Sequence, residues 1–220
     1  WMLSQAIVDL LLAWYSHNAA DLPWRGGDAY RVWLSEIMLQ QTQIATVRPY
    51  YTRFLTNYPT IHDLAAAPLA DVLKQWEGLG YYSRARNLHK TAQQVSDELD
   101  GQFPTTVEGL LGLPGIGRYT AGAIASIAFD QRAPVLDGNV IRVFARLGDL
   151  SDDVTQTATK NKLWEWAEAL VPAQRPGDYN QALMELGQKI CTPRTPLCGD
   201  CPVQAHCAAF VAGTQAERPV

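Results

Sequence analysis

The sequence predicts an all-α fold on three observations. Apolar residues recur at helical spacing along most of the chain, no convincing run alternates apolar with polar residues, and the stretches between periodic segments are short. At 220 residues the chain is long enough for one large or two small domains, each able to bury its own core. It shows neither an internal repeat nor a low-complexity stretch, and its short loops suit a compact catalytic body better than a flexible array.

In chain order, Ser4 can cap a first helix whose Ile7, Leu10, Leu11, Trp14 and Tyr15 form one face, ending before the turn Leu22-Pro-Trp-Arg25. A second helix is expected from about Tyr30 to Gln40, and a third from Ile44 towards Tyr58, stopped by Pro59. Short helices near 61–66 and 69–76 precede Gly78-Leu-Gly80, which breaks the periodicity before a longer helix at 82–98. Pro104 introduces a compact unit from Thr105 to Ala128, and helices follow near 139–148, 156–170 and 179–190.

Composition excludes a membrane-spanning protein of the helical kind. Apolar residues make up 47% and charged residues 18%, and no apolar run approaches the roughly 20 residues a bilayer requires. The expectation is a soluble, intracellular protein. A formal charge of −4 argues on its face against a polyanionic partner, yet binding follows the local field rather than the sum, so nucleic acid stays open. Trp1 before Met2 and the polar tail from Gly213 to Val220 suggest an excised fragment.

All four cysteines fall in the last thirty residues, as Cys191-x6-Cys198-x2-Cys201-x5-Cys207. Four soft sulfur donors so close together suit zinc or an iron–sulfur cluster, and spacing alone divides those two weakly. Two disulfides or four buried thiols are the alternatives; disulfides belong mainly to small secreted scaffolds.

Leu110-Leu-Gly-Leu-Pro-Gly-Ile-Gly-Arg-Tyr-Thr-Ala-Gly-Ala-Ile124 has the pattern of a helix-hairpin-helix. Its glycines allow a tight turn and can face the amides of Gly115 and Gly117 outward, where a phosphate oxygen could be held. A dinucleotide fingerprint is a poor alternative because no strand precedes the glycines; a plain αα-corner remains one. Glu36 lies in Val32-Trp-Leu-Ser-Glu-Ile-Met-Leu-Gln40, a helix apolar almost all round. Desolvation there should raise its pKa and favour the protonated form that a general acid requires, although a core Glu bonded to backbone or Arg fits too. Asp137, just before Gly138-Asn-Val140, is a natural N-cap, and the helix dipole would keep it ionised. A neutral acid beside a fixed carboxylate is the division of labour used to cleave glycosidic bonds.

Together, the hairpin, Val135-Leu-Asp-Gly-Asn-Val140 and the cysteine loop resemble the DNA glycosylase superfamily that includes endonuclease III. Leu22-Pro-Trp-Arg25, Trp33-Leu-Ser-Glu-Ile-Met-Leu-Gln-Gln-Thr-Gln43, Gly78-Leu-Gly-Tyr-Tyr82 and Arg84-Ala-Arg-Asn-Leu-His89 are similar, more narrowly, to the MutY adenine glycosylases. The resemblance implies a [4Fe–4S] cluster on Cys191, Cys198, Cys201 and Cys207, and removal of adenine mispaired with 8-oxoguanine or guanine in double-stranded DNA. It implies a monomer with no membrane partner, working in the bacterial cytoplasm at the nucleoid. The target adenosine is extruded from the stack into a pocket. By that resemblance Glu36 would then protonate adenine N7 and later help to activate water, while Asp137 would stabilise the oxocarbenium-like sugar or trap it covalently. Asn139 matches a residue beside that carboxylate. Tyr119 stands where bifunctional relatives place a Schiff-base Lys, which implies a monofunctional enzyme.

By the same resemblance Gln41 and Tyr81 fill the gap left by the flipped base, and Arg25 lines the adenine pocket; a helix-end amide, a half-buried aromatic and a surface ion pair are the alternatives. Arg84, Arg86 and Lys90 fall on or near one helix face and would attract phosphate, with a solvated charged face as the alternative. The family fold implies two helical lobes. Residues 26–134 form a helical domain containing the hairpin, and residues 1–25 with 135–220 form the cluster domain, with Glu36 and Asp137 meeting across a cleft. Longer members continue into a Nudix-like domain that reads 8-oxoguanine, so this chain is expected to catalyse but to discriminate poorly between mispairs. Two other classes stay open: a glycosylase of different base specificity, and a catalytically silent iron–sulfur DNA-binding protein.

Overall fold

In the computed structural model, which describes residues 4–220, every regular element is helical: α1 Gln5–Asn18, α2 Ala29–Leu39, α3 Ile44–Asn57, α4 Ile61–Ala66, α5 Leu69–Trp76, α6 Tyr82–Glu98, α7 Val107–Leu111, α8 Arg118–Phe129, α9 Gly138–Leu147, α10 Thr157–Leu170, α11 Pro176–Lys189 and α12 Ala208–Ala212. Trp1 and Met2 lie outside the described residues. None of these helices is long and apolar enough to cross a membrane. The chain divides into two compact units, one of Asp21–Phe129 and one of the N-terminal residues up to Ala20 together with Asp130–Val220.

The Asp21–Phe129 unit is built around large aromatic rings. Trp33, Trp76, Tyr51 and Phe54 are fully buried. The Phe54 and Trp76 rings meet edge to face at 5.8 Å, and Trp33 tilts against Phe103 at 5.3 Å, geometries that suit the ring quadrupoles. Here the turn at residues 22–25 joins this unit rather than the first helix, because Trp24 packs edge-on against Tyr51 at 5.3 Å and Arg48 reaches back to the Asp21 carbonyl. Local signals set the helix starts. Asp28 caps α2 by accepting from the Arg31 amide, Thr60 and Asp63 close a capping box on α4, and Thr106 caps α7.

The second unit pairs α9 with α11, α1 with α11 and α12 with α9. Ile7, Val8, Leu11 and Tyr15 form the buried stripe of α1, whereas Leu10, expected on that face, is exposed. Ser4 takes an N-cap backbone conformation but makes no side-chain cap bond. Helix α11 begins at Pro176, three residues before its expected start, since a proline needs no amide partner in the first turn. Glu185, buried at 3% exposure, accepts the Ala20 amide on both carboxylate oxygens and the Lys189 ammonium, which ties the last residue of the N-terminal segment to α11.

Candidate functional site

In the Asp21–Phe129 unit, Glu36 sits within the uninterrupted buried run Val32–Met38 of α2 and is 8% exposed. A carboxylate so placed is out of bulk water on a helix that supplies almost only apolar neighbours. Immediately beyond the helix, Gln40 donates to Thr120 Oγ1 on α8 at 3.2 Å, joining the end of α2 to the hairpin. Tyr119, half-buried, stands one residue earlier on α8. The hairpin turn is anchored from the other side by Thr91 Oγ1, which donates to the Pro114 carbonyl at 2.8 Å.

Gly115 has a φ of +77°, a left-handed value that favours glycine, and a Cβ there would press on Asn87 at 3.0 Å. Gly115 and Gly117 are both exposed, and among the described hydrogen bonds neither amide donates within the chain. Two amides open to solvent ahead of α8 can receive an anion. Arg25 is half-buried after the Trp24 anchor, and Gln41 is exposed on the loop after α2. Tyr81, at 61% exposure, is the most open of the unit's large aromatic side chains and stands at the start of α6.

Arg86 is exposed on α6, as a phosphate-attracting side chain must be, and so is Lys90. Arg84 is not. Its guanidinium is buried at 8% exposure and donates to the carbonyls of Ile37, Met38 and Gln40. Burial pulls its pKa below the ordinary arginine value, but a guanidinium keeps its proton in proteins. Arg84 is therefore removed from the phosphate-facing set, because the guanidinium is buried and its Nη1 and Nη2 already donate within the chain.

In the other unit Asp137 caps α9. Its Oδ1 accepts from the Val140 amide at 2.8 Å and its Oδ2 from Asn139 Nδ2 at 3.1 Å, so both oxygens are oriented from within the first turn. Asn139 is itself held by Arg142, whose Nη2 donates to Asn139 Oδ1 at 2.9 Å and to the Gly187 carbonyl at 2.6 Å. Nε of Arg142 donates to the Cys191 carbonyl at 2.7 Å. A Cβ at Gly187 would lie 2.8 Å from Asn139 Cβ, so α11 can approach the first turn of α9 only with glycine there. Arg142 and Arg146 escaped the sequence analysis. Their spacing of four on a helix whose other face is Val140, Val143, Phe144 and Leu147 was the available signal.

The four cysteines line one partly open cavity, walled by apolar side chains including Val143, Leu147, Leu186 and Ile190. Among the described residues no three His, Cys, Asp or Glu side chains converge closely enough to hold a single ion. Four thiolates lining one cavity can give one ligand to each iron of a cluster. Burial pushes the Cys201 thiol up to about 11 and those of Cys198 and Cys207 upward as well, so positively charged iron is what would hold them as thiolates. Arg146, buried at 2%, supports the loop with bonds from Nη1 to Cys191 Sγ (3.4 Å) and the Thr192 carbonyl (2.7 Å), and from Nη2 to the Pro193 carbonyl (2.9 Å). The donor set and its cationic neighbour fit an anionic iron–sulfur cluster.

Residues 34–169, which carry α2, the hairpin and Asp137, match the model of the HhH-GPD superfamily of base excision DNA repair proteins. The chain belongs to that superfamily. Residues 191–207 of this HhH-GPD protein match the iron–sulfur binding domain of endonuclease III, and its cofactor is a [4Fe–4S] cluster. The adenine DNA glycosylase of Mus musculus is 53% identical over 210 residues, covering 91% of this chain and 41% of the mouse protein. That of Buchnera aphidicola subsp. Schizaphis graminum is 43% identical over 203 residues, covering 91% of this chain and 58% of the relative. The chain thus spans about two fifths of the mouse protein's length. A solved structure of a thermostable thymine-DNA glycosylase superposes with a TM-score of 0.82 at 30% identity, covering 94% of this chain and 96% of that one.

Proposed function

We propose that this chain is the catalytic part of a monofunctional adenine DNA glycosylase, acting as a monomer on double-stranded DNA that carries adenine opposite 8-oxoguanine or guanine. The observation that carries this reading is the 53% identity to an adenine DNA glycosylase over 91% of the chain, a span long enough that it must include Glu36, Tyr119 and Asp137. The adenosine must leave the stack before its N-glycosidic bond can be reached. Gln41 and Tyr81, exposed beside each other's loops, would fill the space it vacates. The open amides of Gly115 and Gly117 would hold a backbone phosphate, with Arg86 adding local positive charge, and Arg25 would contact the base.

Glu36, desolvated on α2, would give its proton to adenine N7, making the base a better leaving group, and would then take a proton from the attacking water. Asp137, oriented by Val140 and Asn139, would face the positive charge that develops on the sugar. Tyr119 cannot form an imine, so the product would be an intact strand with an abasic site. When bound, the cluster cross-links residues 191–207 through four iron–thiolate bonds.

Single-turnover base release from duplexes holding adenine opposite 8-oxoguanine, adenine opposite guanine and thymine opposite guanine tests this. Adenine release that becomes strand breakage only after alkali is the expected result, slowed about 100-fold or more in Glu36→Gln. Thymine release would favour the second reading, a mismatch thymine glycosylase, which the 0.82 superposition on a thymine-DNA glycosylase supports at lower identity. Base release that survives Glu36→Gln would remove Glu36 from the role of acid.

A further inference from the structure

Gln41 and Tyr81 share a backbone feature as well as exposure. Gln41 has a φ of 58° and Tyr81 a φ of 50°, left-handed values that an L-residue with a side chain seldom adopts unless its surroundings impose them. Neither is a short polar residue of the kind that supports itself there through a local bond. What the two loops have in common is one side chain. Nη1 of Arg84 donates to the carbonyls of Ile37 and Met38, at 2.9 Å each, and to that of Gln40 at 2.6 Å. Nη2 donates to Thr42 Oγ1 at 3.2 Å and to the carbonyls of Leu79 and Gly80, both at 3.3 Å.

One side of the guanidinium therefore collects the last carbonyls of α2 and that of the residue before Gln41. The other side takes the side chain of the residue after Gln41 and the two carbonyls that precede Tyr81. The plane of the guanidinium is enclosed by aromatic rings, with Arg84 Cζ 5.2 Å from the Trp76 centroid and 5.6 Å from that of Tyr81. Trp76 Nε1 donates to the same Gly80 carbonyl at 3.0 Å.

We propose that Arg84 is a positioning residue that locks Gln41 and Tyr81 into their left-handed conformations together, so that the two side chains enter the duplex as one preset unit. This rests on the reading of Gln41 and Tyr81 as the residues that fill the vacated space. Loops ordered before the DNA arrives lose less freedom on binding, and a displaced wedge slows a reaction that depends on geometry. Only a planar fork reaches both loops at once; a lysine offers a single ammonium on a flexible stem.

Two measurements decide it. In the first, backbone hydrogen exchange is followed without DNA in the wild-type chain and in Arg84→Lys. The amides of residues 40–42 and 79–82 are expected to exchange about tenfold faster in the variant, with α3, α4 and α8 unchanged. Loosening of one loop alone, of neither, or of the whole unit alike would overturn the proposal, whatever the chain does to DNA. If Arg84→Lys does not fold, Thr42→Val removes an acceptor of Arg84 together with the 3.4 Å bond from Thr42 Oγ1 to the Gln40 carbonyl; faster exchange that reaches residues 79–82 on the other loop supports the lock, and exchange unchanged there overturns it.

In the second, single-turnover adenine release is compared in Tyr81→Ala, Arg84→Lys and the double variant. Each single change is expected to slow release about 10- to 100-fold, and the double variant to be no slower than the slower single one. Losses that multiply would mean that Arg84 acts apart from Tyr81. A wild-type chain that releases no base would strike at the functional reading instead, while the exchange result still decides whether Arg84 sets both loops.

Discussion

At Asp137 the two oxygens are held differently: Oδ1 caps α9 through the Val140 amide, and Oδ2 accepts from Asn139, so in the proposed reaction Oδ2 is the oxygen that would face the developing charge. Asp137→Ser keeps a capping hydroxyl and loses the carboxylate. The expected outcome is a melting temperature within a few degrees of wild type and base release slowed about 100-fold or more. Thermal melts and single-turnover rates on the same preparation check it; a variant that loses stability but keeps its rate would leave Asp137 as a cap only. The cap was legible from Asp137-Gly-Asn-Val140 alone, since a short acidic residue before a new apolar stripe has few other uses. Arg84 was not, because its charge outweighed its register. It sits four residues before Leu88, on the stripe of Ala85, Leu88, Ala92 and Val95 that α6 buries, whereas Arg86 lies off that stripe and stays in solvent. What the sequence could not display were the acceptors, which are backbone oxygens of α2 and of the turn before α6.

Among the elements, the helix boundaries were largely readable because proline, glycine and capping residues punctuate them, and they were misread where a boundary depends on packing. The loss of Leu10 from the face of α1 is a case of tertiary contacts overriding pattern, while the earlier start of α11 follows from Pro176, which a first turn accepts. The approach of α11 to α9 at Gly187 is another contact that no periodicity reports. Gly187→Ala places a methyl 2.8 Å from Asn139 Cβ and 3.2 Å from its carbonyl oxygen. Overpacking of this kind costs about 1–3 kcal/mol, and the displaced residue holds Asp137. The variant should lose a few degrees of melting temperature and a larger share of its base-release rate than that loss explains. A rate equal to wild type would detach the first turn of α9 from the reaction. The cysteine segment behaves differently from the helices around it. Between Cys191 and Cys207 the regular structure consists of two three-residue 3-10 turns, Cys198–Asp200 and Gln204–His206, so beyond the bonds from Arg142 and Arg146 its shape would rest on iron–thiolate bonds. Chelating the iron out should open residues 191–207 to protease while the helical content of α9–α11 persists. Cleavage that instead spreads through α9 and α11 would make the cluster a support for the whole unit.

On the scale of the molecule, both units bury tyrosine. Burial pushes the Tyr51 hydroxyl up to about 12, and Tyr30 and Tyr58 of the same unit are raised as well, as is Tyr179 in the other. A raised folded-state pKa means that above pH of about 10, the unfolded value, the unfolded chain releases these protons first. Stability is therefore complete below that pH and falls as pH rises through the interval up to about 12. Denaturant midpoints measured between pH 8 and 11 should decline steadily above pH 10, and Tyr51→Phe should flatten the decline; an unchanged slope would relieve Tyr51 of that role. The two-unit division carries a consequence for how the protein is made. Because the chain leaves one unit at Ala20 and returns to it only at Asp130, a ribosome delivers α1 long before its partner α11 exists. The intervening unit has everything it needs to fold first, and in doing so it shortens the gap that α1 and α11 must close, which lowers the entropy lost when the Ala20 amide finally meets Glu185. The nesting thus favours an order of assembly in which the inserted unit comes first and the unit that holds the four cysteines comes last.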